Sequence, residues 1–403
     1  MRRLEAYNVL SDVEFRDRHA HLVLKEKEMD PKSQAFVSAL VYTVLQHSLF
    51  LDYQFQDLVD AKLPKEVALV IKMACAQYFK MDDVPDYALV NEYVELTKTI
   101  GKKRYSGVVN AVLKKVIKRG LRPIEETGLK RASIEYSMPL WILNLLSKQY
   151  DEKFAIDYAI YCQEIKPSYV RINTLKDYPL DMSYFDEYNN ALIAKSELFR
   201  SDYLENGVVL IQDINSQKVV PFMNLEDNLE VLDCCCGPGT KTSHIAALMN
   251  NTGQIDGVEL HQSRADKTSE LMERVGATNA TIITSDVLEY QTDKKYDRIL
   301  LDAPCSGLGV LSHKHDLRYH IKPEDLDALV LLQADMLDHV ATLLEVDGIL
   351  VYATCTLNRK ENEKQVEAFL ARNSNYELLE SELCNPMETL GDGFYIAQCR
   401  RTC

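Results

Sequence analysis

Two cysteines sit where a protein can use a thiol. Cys305 lies in Asp302-Ala303-Pro304-Cys305-Ser306-Gly307 and Cys355 in Thr354-Cys355-Thr356, each just beyond a short apolar run. A buried free cysteine is usually only a small hydrophobe. Two of them at strand ends, one beside an acid, suit nucleophilic catalysis instead. One thiolate would add to an electron-poor carbon, and a second group would help remove the proton whose loss lets the first sulfur leave. Cytosine is one substrate whose chemistry would use both thiols: its carbon 5 is a poor nucleophile until a thiolate has added at carbon 6, and such an adduct breaks only once the proton at carbon 5 has gone. A free thiol has a pKa of roughly 8.5, so a nearby positive charge is needed, with Lys241 and a cofactor sulfonium as candidates.

The elements expected to position these residues begin after about residue 215. Apolar runs at Leu229–Asp233, Gln254–Leu260, Ala280–Ser285, Tyr296–Asp302 and Gly348–Thr354 alternate with helical patterns over 241–250, 262–275, 323–344 and 359–372. Strands alternating with helices predict a parallel, doubly wound sheet, whose ligands bind beyond the carboxyl ends of the strands. Three further features stand there. The turn Cys234-Cys235-Cys236-Gly237-Pro238-Gly239-Thr240-Lys241-Thr242 follows the first run; its glycines allow close backbone approach to a ligand. It is not a phosphate loop, because Thr240 stands where that pattern needs glycine. Glu259 ends the second run and can accept from both hydroxyls of a ribose, in a dinucleotide or an S-adenosylmethionine site alike. Asp286 ends the third and could contact an adenine amine or cap a helix. On the turn and Glu259 alone, an NAD-dependent oxidoreductase remains open.

The first 120 or so residues read as successive helices. Val37, Leu40, Val41, Val44, Leu45 and Leu49 would line one face of a helix, and residues 64–79, 87–99 and 105–119 behave similarly. In the last of these, Val108, Val109, Val112, Leu113 and Val116 are expected in the core, Ser106 as the cap and Gly120 as the stop, with Lys114, Lys115 and Lys118 outward. These lysines belong to a basic segment, 98–131, in a chain whose net charge is -15. A basic patch on an acidic protein is the footprint of a nucleic-acid surface, although a solvated helix face reads the same way. We expect three regions: a helical domain over 1–124, a mixed α/β joining subdomain over 125–215, and a catalytic domain over 216–403.

Composition fits a multidomain globular protein of 403 residues, 46% hydrophobic and 27% charged. Neither a membrane span nor a secretory signal is expected, and the default is a cytoplasmic monomer. The ten cysteines are scattered over a long chain, which favours thiols over disulfides. No metal site is expected, because there is no CxxC pair and His313 and His315 lack evident companions.

A resemblance adds to this reading. Asp233–Thr242 is similar to the motif DLCAAPGGKT, Asp302–Gly307 to DAPCSG, and Thr354–Thr356 to TCS, which together mark the Sun/Nop family of RNA 5-methylcytosine methyltransferases. Val109–Lys114 resembles the VNAVLR helix of a NusB-like domain, Arg171-Ile172-Asn173 the family's RvN segment, Gln212-Asp213 with Ser216-Gln217 its QDxxSQ segment, and Gly393–Ala397 its GFFIA strand. A NusB-like front on this catalytic half resembles the bacterial enzymes that methylate cytosine in small-subunit (16S) ribosomal RNA. The resemblance implies an all-α NusB-like domain followed by an α/β Rossmann-like methyltransferase domain using S-adenosylmethionine. It implies Cys355 as nucleophile, Cys305 as the group assisting release, and Asp302 holding the cytosine edge. It places the cofactor on Cys235, Cys236, Gly237, Pro238, Gly239, Thr240, Lys241, Glu259, Asp286 and Asp302. Ribosomal RNA is the implied partner, with Lys114, Lys115, Lys118 and Arg171 as RNA contacts. DNA-type enzymes use the cysteine of the Pro-Cys pair, here Cys305; the added TC motif favours Cys355. The chain departs from the motif at Cys234, Cys236, Gly237 and Thr240, which replace Leu, Ala, Ala and Gly, and Glu259 is one methylene longer than the usual Asp. The rival reading is a non-catalytic RNA-binding or ribosome assembly factor with a vestigial methyltransferase half.

Overall fold

A computed structural model describes residues 2–59, 62–81 and 84–403. The chain divides into two compact units: residues up to Glu164 together with His313–Ile321, and Ile165–Ser312 together with Lys322–Cys403. Among the described residues, no single helix is long and apolar enough to cross a membrane.

The first unit is helical. Helices Pro31–Gln46, Lys65–Lys80, Asp86–Thr99 and Ser106–Arg119 bury their apolar faces in one core that includes Leu40, Val44, Val70, Met73 and Tyr93. The helix Pro31–Gln46 starts on Asp30, whose carboxylate accepts from Lys32 and Ser33 backbone N–H groups, the usual cap of exposed helical donors. Leu49 falls on the next helix, Ser48–Phe55. In helix Ser106–Arg119, Val109, Val112, Leu113 and Val116 are buried, as their spacing predicts, but Val108 is 39% exposed. Ser106 does not cap this helix; its hydroxyl donates to the Lys103 carbonyl. Gly120 does end it, at φ 74°, where a side chain would be strained. The 125–215 stretch is shared between the units: helices Gly128–Glu135, Leu140–Gln149 and Glu152–Tyr161 lie in the first.

The second unit opens with β1 (Tyr169–Ile172), β2 (Phe185–Tyr188), β3 (Ala191–Ala194) and β4 (Val209–Ile211), an antiparallel sheet in the order β2-β3-β1-β4. The main sheet follows: β5 (Glu230–Asp233), β6 (Gln254–Glu259), β7 (Ala280–Thr284), β8 (Tyr296–Asp302), β9 (Leu344–Thr354), β10 (Tyr376–Cys384) and β11 (Phe394–Arg401), in the order β10-β11-β9-β8-β5-β6-β7. It is not wholly parallel, because β11 runs antiparallel to both neighbours. A hairpin rather than a crossover helix brings it in, which periodicity in a short run cannot reveal. Apolar side chains of alternate strand residues feed two cores, one with Ile299, Leu301 and Tyr352, the other with Leu300, Val351 and Ile396, as the two-residue period of a covered sheet requires.

Candidate active site

Register levels the two cysteines. β8 and β9 are parallel neighbours with Asp302 opposite Ala353, and the Ala303 N–H donates to the Ala353 carbonyl at 2.9 Å. Cys305 is three residues past Asp302 and Cys355 two past Ala353, so both leave the sheet at the same height. Their sulfurs are 3.3 Å apart and both residues are half-buried thiols. The Cys355 carbonyl accepts from the Gly309 N–H at 3.0 Å, and a Cβ at Gly309 would lie 2.0 Å from the Gly393 carbonyl. Only glycine permits that approach.

A buried carboxylate ties the two cysteine loops together. Glu361 is fully buried and accepts from the Ser306 N–H at 2.8 Å, the Ser306 hydroxyl at 2.6 Å, Asn358 Nδ2 at 2.9 Å and Gln333 Nε2 at 3.1 Å. Ser306 Oγ and Thr356 Oγ1 share a further hydrogen bond of 2.7 Å. Four donors compensate the carboxylate's desolvation. Sequence reading missed Glu361, since an acid six residues past Cys355 has no periodic signature.

The site's charges act on Cys305 and on Lys241. The hydrogen bond to Cys355 and burial, followed by the charges of Cys355 and Glu361, push the Cys305 thiol well above the ordinary cysteine value. Lys241 lies against the same site: its Nζ donates to Asp302 Oδ2 at 2.6 Å and stands 5.3 Å from the Phe394 ring centroid. Burial disfavours its ammonium, but the charges of Asp302 and Cys355 outweigh that and raise its pKa.

The expected cofactor residues gather at the neighbouring strand ends. After β5, Cys236 N–H donates to the Val258 carbonyl at 3.0 Å, and Gly239, at φ 102°, opens helix Thr240–Leu248. Cys235 is half-buried in this loop and Pro238 exposed. A cavity of about 370 Å³ on its outer side is lined by Pro238, Thr240, Lys267, Glu270, Leu271 and Arg274. Glu259, ending β6, is buried; its Oε1 accepts from the His261 N–H at 3.0 Å and its Oε2 lies 3.4 Å from Arg264 Nε. Arg264, unremarked in the sequence, also donates to the Gly237 carbonyl at 2.6 Å. Asp286 accepts from the Leu288 N–H at 2.9 Å, so it stabilises its own turn. Asp233 is buried, its Oδ2 taking the Thr242 hydroxyl at 2.8 Å, while Oδ1 has no hydrogen-bond partner among the described residues. Burial raises its pKa to about 6.

One expected RNA contact is elsewhere. Arg171 is buried: its Nε donates to Gln212 Oε1 at 2.8 Å and its Nη2 to Ser243 Oγ at 2.7 Å and the Thr240 carbonyl at 3.3 Å. It braces the helix that follows the cofactor loop and presents no open guanidinium to a phosphate. Lys114, Lys115 and Lys118 are exposed, as expected.

A seven-stranded sheet of this order, with a glycine turn after β5, an acid after β6 and a helical unit in front, defines a Rossmann-like methyltransferase with a NusB-like domain. Residues 220–399 match the family described as 16S rRNA methyltransferase RsmB/F, and residues 1–118 match the NusB family. The probable ribosomal RNA small subunit methyltransferase B of Bacillus subtilis is 30% identical, over 88% of this chain and 84% of its own. Its namesake in Synechocystis sp. is 29% identical over 98% of each. A crystal structure of a methyltransferase homolog protein from Pyrococcus horikoshii, 23% identical, shares the fold with a TM-score of 0.61 over 68% of this chain and 99% of that one. The chain belongs to the ribosomal RNA small subunit methyltransferase B family.

Proposed function

We propose that this protein methylates carbon 5 of a cytosine in small-subunit ribosomal RNA through a covalent Cys355 adduct, acting in the cytoplasm. The observation that carries this reading is the 3.3 Å approach of the Cys305 and Cys355 sulfurs beside the Lys241–Asp302 pair. The relatives' names supply the ribosomal RNA.

The residues present fit S-adenosylmethionine. Asp233 Oδ1 is a buried acceptor without a hydrogen-bond partner among the described residues, and Glu259 stands at the end of β6 where a ribose would be held. When bound, this cofactor supplies an electrophilic methyl group on a sulfonium.

The chain's own groups do the rest. Lys241 stabilises negative charge on Cys355, and Asp302 accepts from the exocyclic amine of cytosine. The Cys355 thiolate bonds to carbon 6, and the electron pair of the 5,6 double bond moves to carbon 5, which takes the methyl. Once Cys355 is a neutral thioether, its hydrogen bond and charge no longer hold the proton on Cys305, and only burial and Glu361 still do. Cys305 then loses that proton to solvent and can accept the one on carbon 5. The electrons of that C–H bond restore the double bond, and the carbon–sulfur bond breaks with its pair returning to Cys355.

The test is methyl transfer from labelled cofactor to ribosomal RNA, with trapping on RNA containing 5-fluorocytosine. Cys355→Ala abolishes the trapped adduct, whereas Cys305→Ala still forms it and releases product slowly. Trapping that survives Cys355→Ala and disappears with Cys305→Ala reverses the assignment. A chain with no transfer to any RNA favours the assembly-factor reading.

A further inference from the structure

We propose that His19, Asp316 and His320, in the first unit, form a site for a divalent transition metal of the zinc class. One ligand atom from each lies within 4.8 Å of the others. His19 Nδ1 is 3.1 Å from Asp316 Oδ2, close to the edge of roughly 3.3 Å between two ligands on a tetrahedral zinc ion. The His19 and His320 ring centroids are 5.4 Å apart, where two imidazoles sharing such an ion stand about 5 Å apart.

The surroundings orient the ligands before any ion arrives. Asp316 is 5% exposed, and its Oδ2 also accepts from the Ala20 N–H at 3.1 Å. His320 Nε2 is 3.3 Å from the Val13 carbonyl and 3.8 Å from Asp17 Oδ1. Such contacts fix ring and carboxylate orientation around metals. His19 is solvent-accessible, which leaves a way in and room for water as a further ligand; the His21 ring centroid is 5.9 Å from that of His19. Two imidazoles and one carboxylate select zinc, cobalt or nickel over magnesium or calcium, which prefer all-oxygen sites.

The residues come from distant stretches. His19 precedes helix Ala20–Lys25, whereas Asp316 precedes and His320 ends the short helix Leu317–His320 in the His313–Ile321 segment. An ion would clamp this segment to the start of the chain. About 300 positions of separation explain why no ligand spacing is visible in the sequence.

The chelator-treated full chain is titrated with Co²⁺ and followed by absorption. The expected result is one equivalent with visible d–d bands and no sulfur-to-cobalt charge transfer, displaced by Zn²⁺. His19→Ala, a surface change that leaves the core intact, weakens binding at least about tenfold, while His261→Ala does not. Zinc also raises the unfolding temperature of the parent chain but not of His19→Ala. Absence of the bands, a charge-transfer band, which would place the ion on the thiols, or bands unchanged in His19→Ala overturns the proposal. Methyl transfer is not measured, so the outcome is independent of the reaction proposed above.

Discussion

Glu259 Oε2 occupies the space that a side chain on Gly237 would need: a Cβ there would come within 2.3 Å of that oxygen and 3.0 Å of Glu259 Cδ. The related motif carries Ala at the first position and Asp at the second. Here the extra methylene of Glu259 fills the room left by the missing methyl, and Arg264 touches both partners. Sterically, the two departures from the motif offset each other.

Gly237→Ala should therefore displace the carboxylate and cost about 1–3 kcal/mol of stability, the usual range for overpacking. S-adenosylmethionine binding, read by calorimetry, should weaken about tenfold, one power of ten being roughly 1.4 kcal/mol. Adding Glu259→Asp should recover most of both losses. If the double variant is no better than Gly237→Ala, the two positions are not coupled.

Glu361 gives a second test. Replacing it with Gln keeps the shape but turns one acceptor into a donor facing Ser306, Gln333 and Asn358. Leaving buried hydrogen-bonding groups mismatched in this way costs about 1–3 kcal/mol. The Cys305 loop is then free to drift from Cys355, so kcat for methyl transfer should fall at least about tenfold while cofactor affinity stays put. An unchanged kcat in the folded variant would show that the thiol pair is held by other contacts.

Both helix-versus-strand alternation and the strand ends were readable from the sequence, because short apolar runs alternate with helical stretches, and Asp302 closes one such run while Cys305 and Cys355 lie just beyond two of them. What escaped was non-local. Antiparallel β11 enters by a hairpin whose strand looks like any other. Arg171 is basic, but only folding shows that Gln212 and Ser243 consume its donors. Glu361 joins Ser306 and Gln333, and Arg264 reaches Gly237, across stretches of chain that no spacing rule connects.

His244 carries a pH signature. Burial, then the charge of Arg171, lowers its pKa from 6.5 to about 3, so the unfolded chain takes up a proton that the folded one refuses. Its contribution is whole above pH 6.5 and is lost as pH falls towards 3, by up to about 1.4 kcal/mol per unit. Asp213 works oppositely. Burial, then Asp392, raises its pKa to about 6, and that contribution is lost as pH rises from about 4 to 6. The difference in unfolding free energy between the parent chain and His244→Gln cancels the Asp213 effect. It should shift in favour of the variant by roughly 1–2 kcal/mol from pH 6.5 to 5; a difference that does not move with pH would contradict the buried neutral imidazole.

The basic segment is less free than its composition suggests. Lys98 pairs with Glu95, Lys102 with Glu66, and Arg119 and Arg122 with Asp57, so each of these charges has an acidic neighbour at the surface. Lys114, Lys115 and Lys118 are exposed on helix Ser106–Arg119 and make no ion pair among the described residues. If they meet phosphates, each releases counterions, and the slope of log affinity against log salt carries about 0.7 per contact on single-stranded RNA. Changing all three to Gln should weaken ribosomal RNA binding at low salt and flatten that slope by about 2. The apolar face of Val109, Val112, Leu113 and Val116 is untouched, so folding should survive. Weaker binding with an unaltered slope would mean that the substitutions disturbed the helix rather than removed phosphate contacts, and the RNA surface would have to be sought elsewhere.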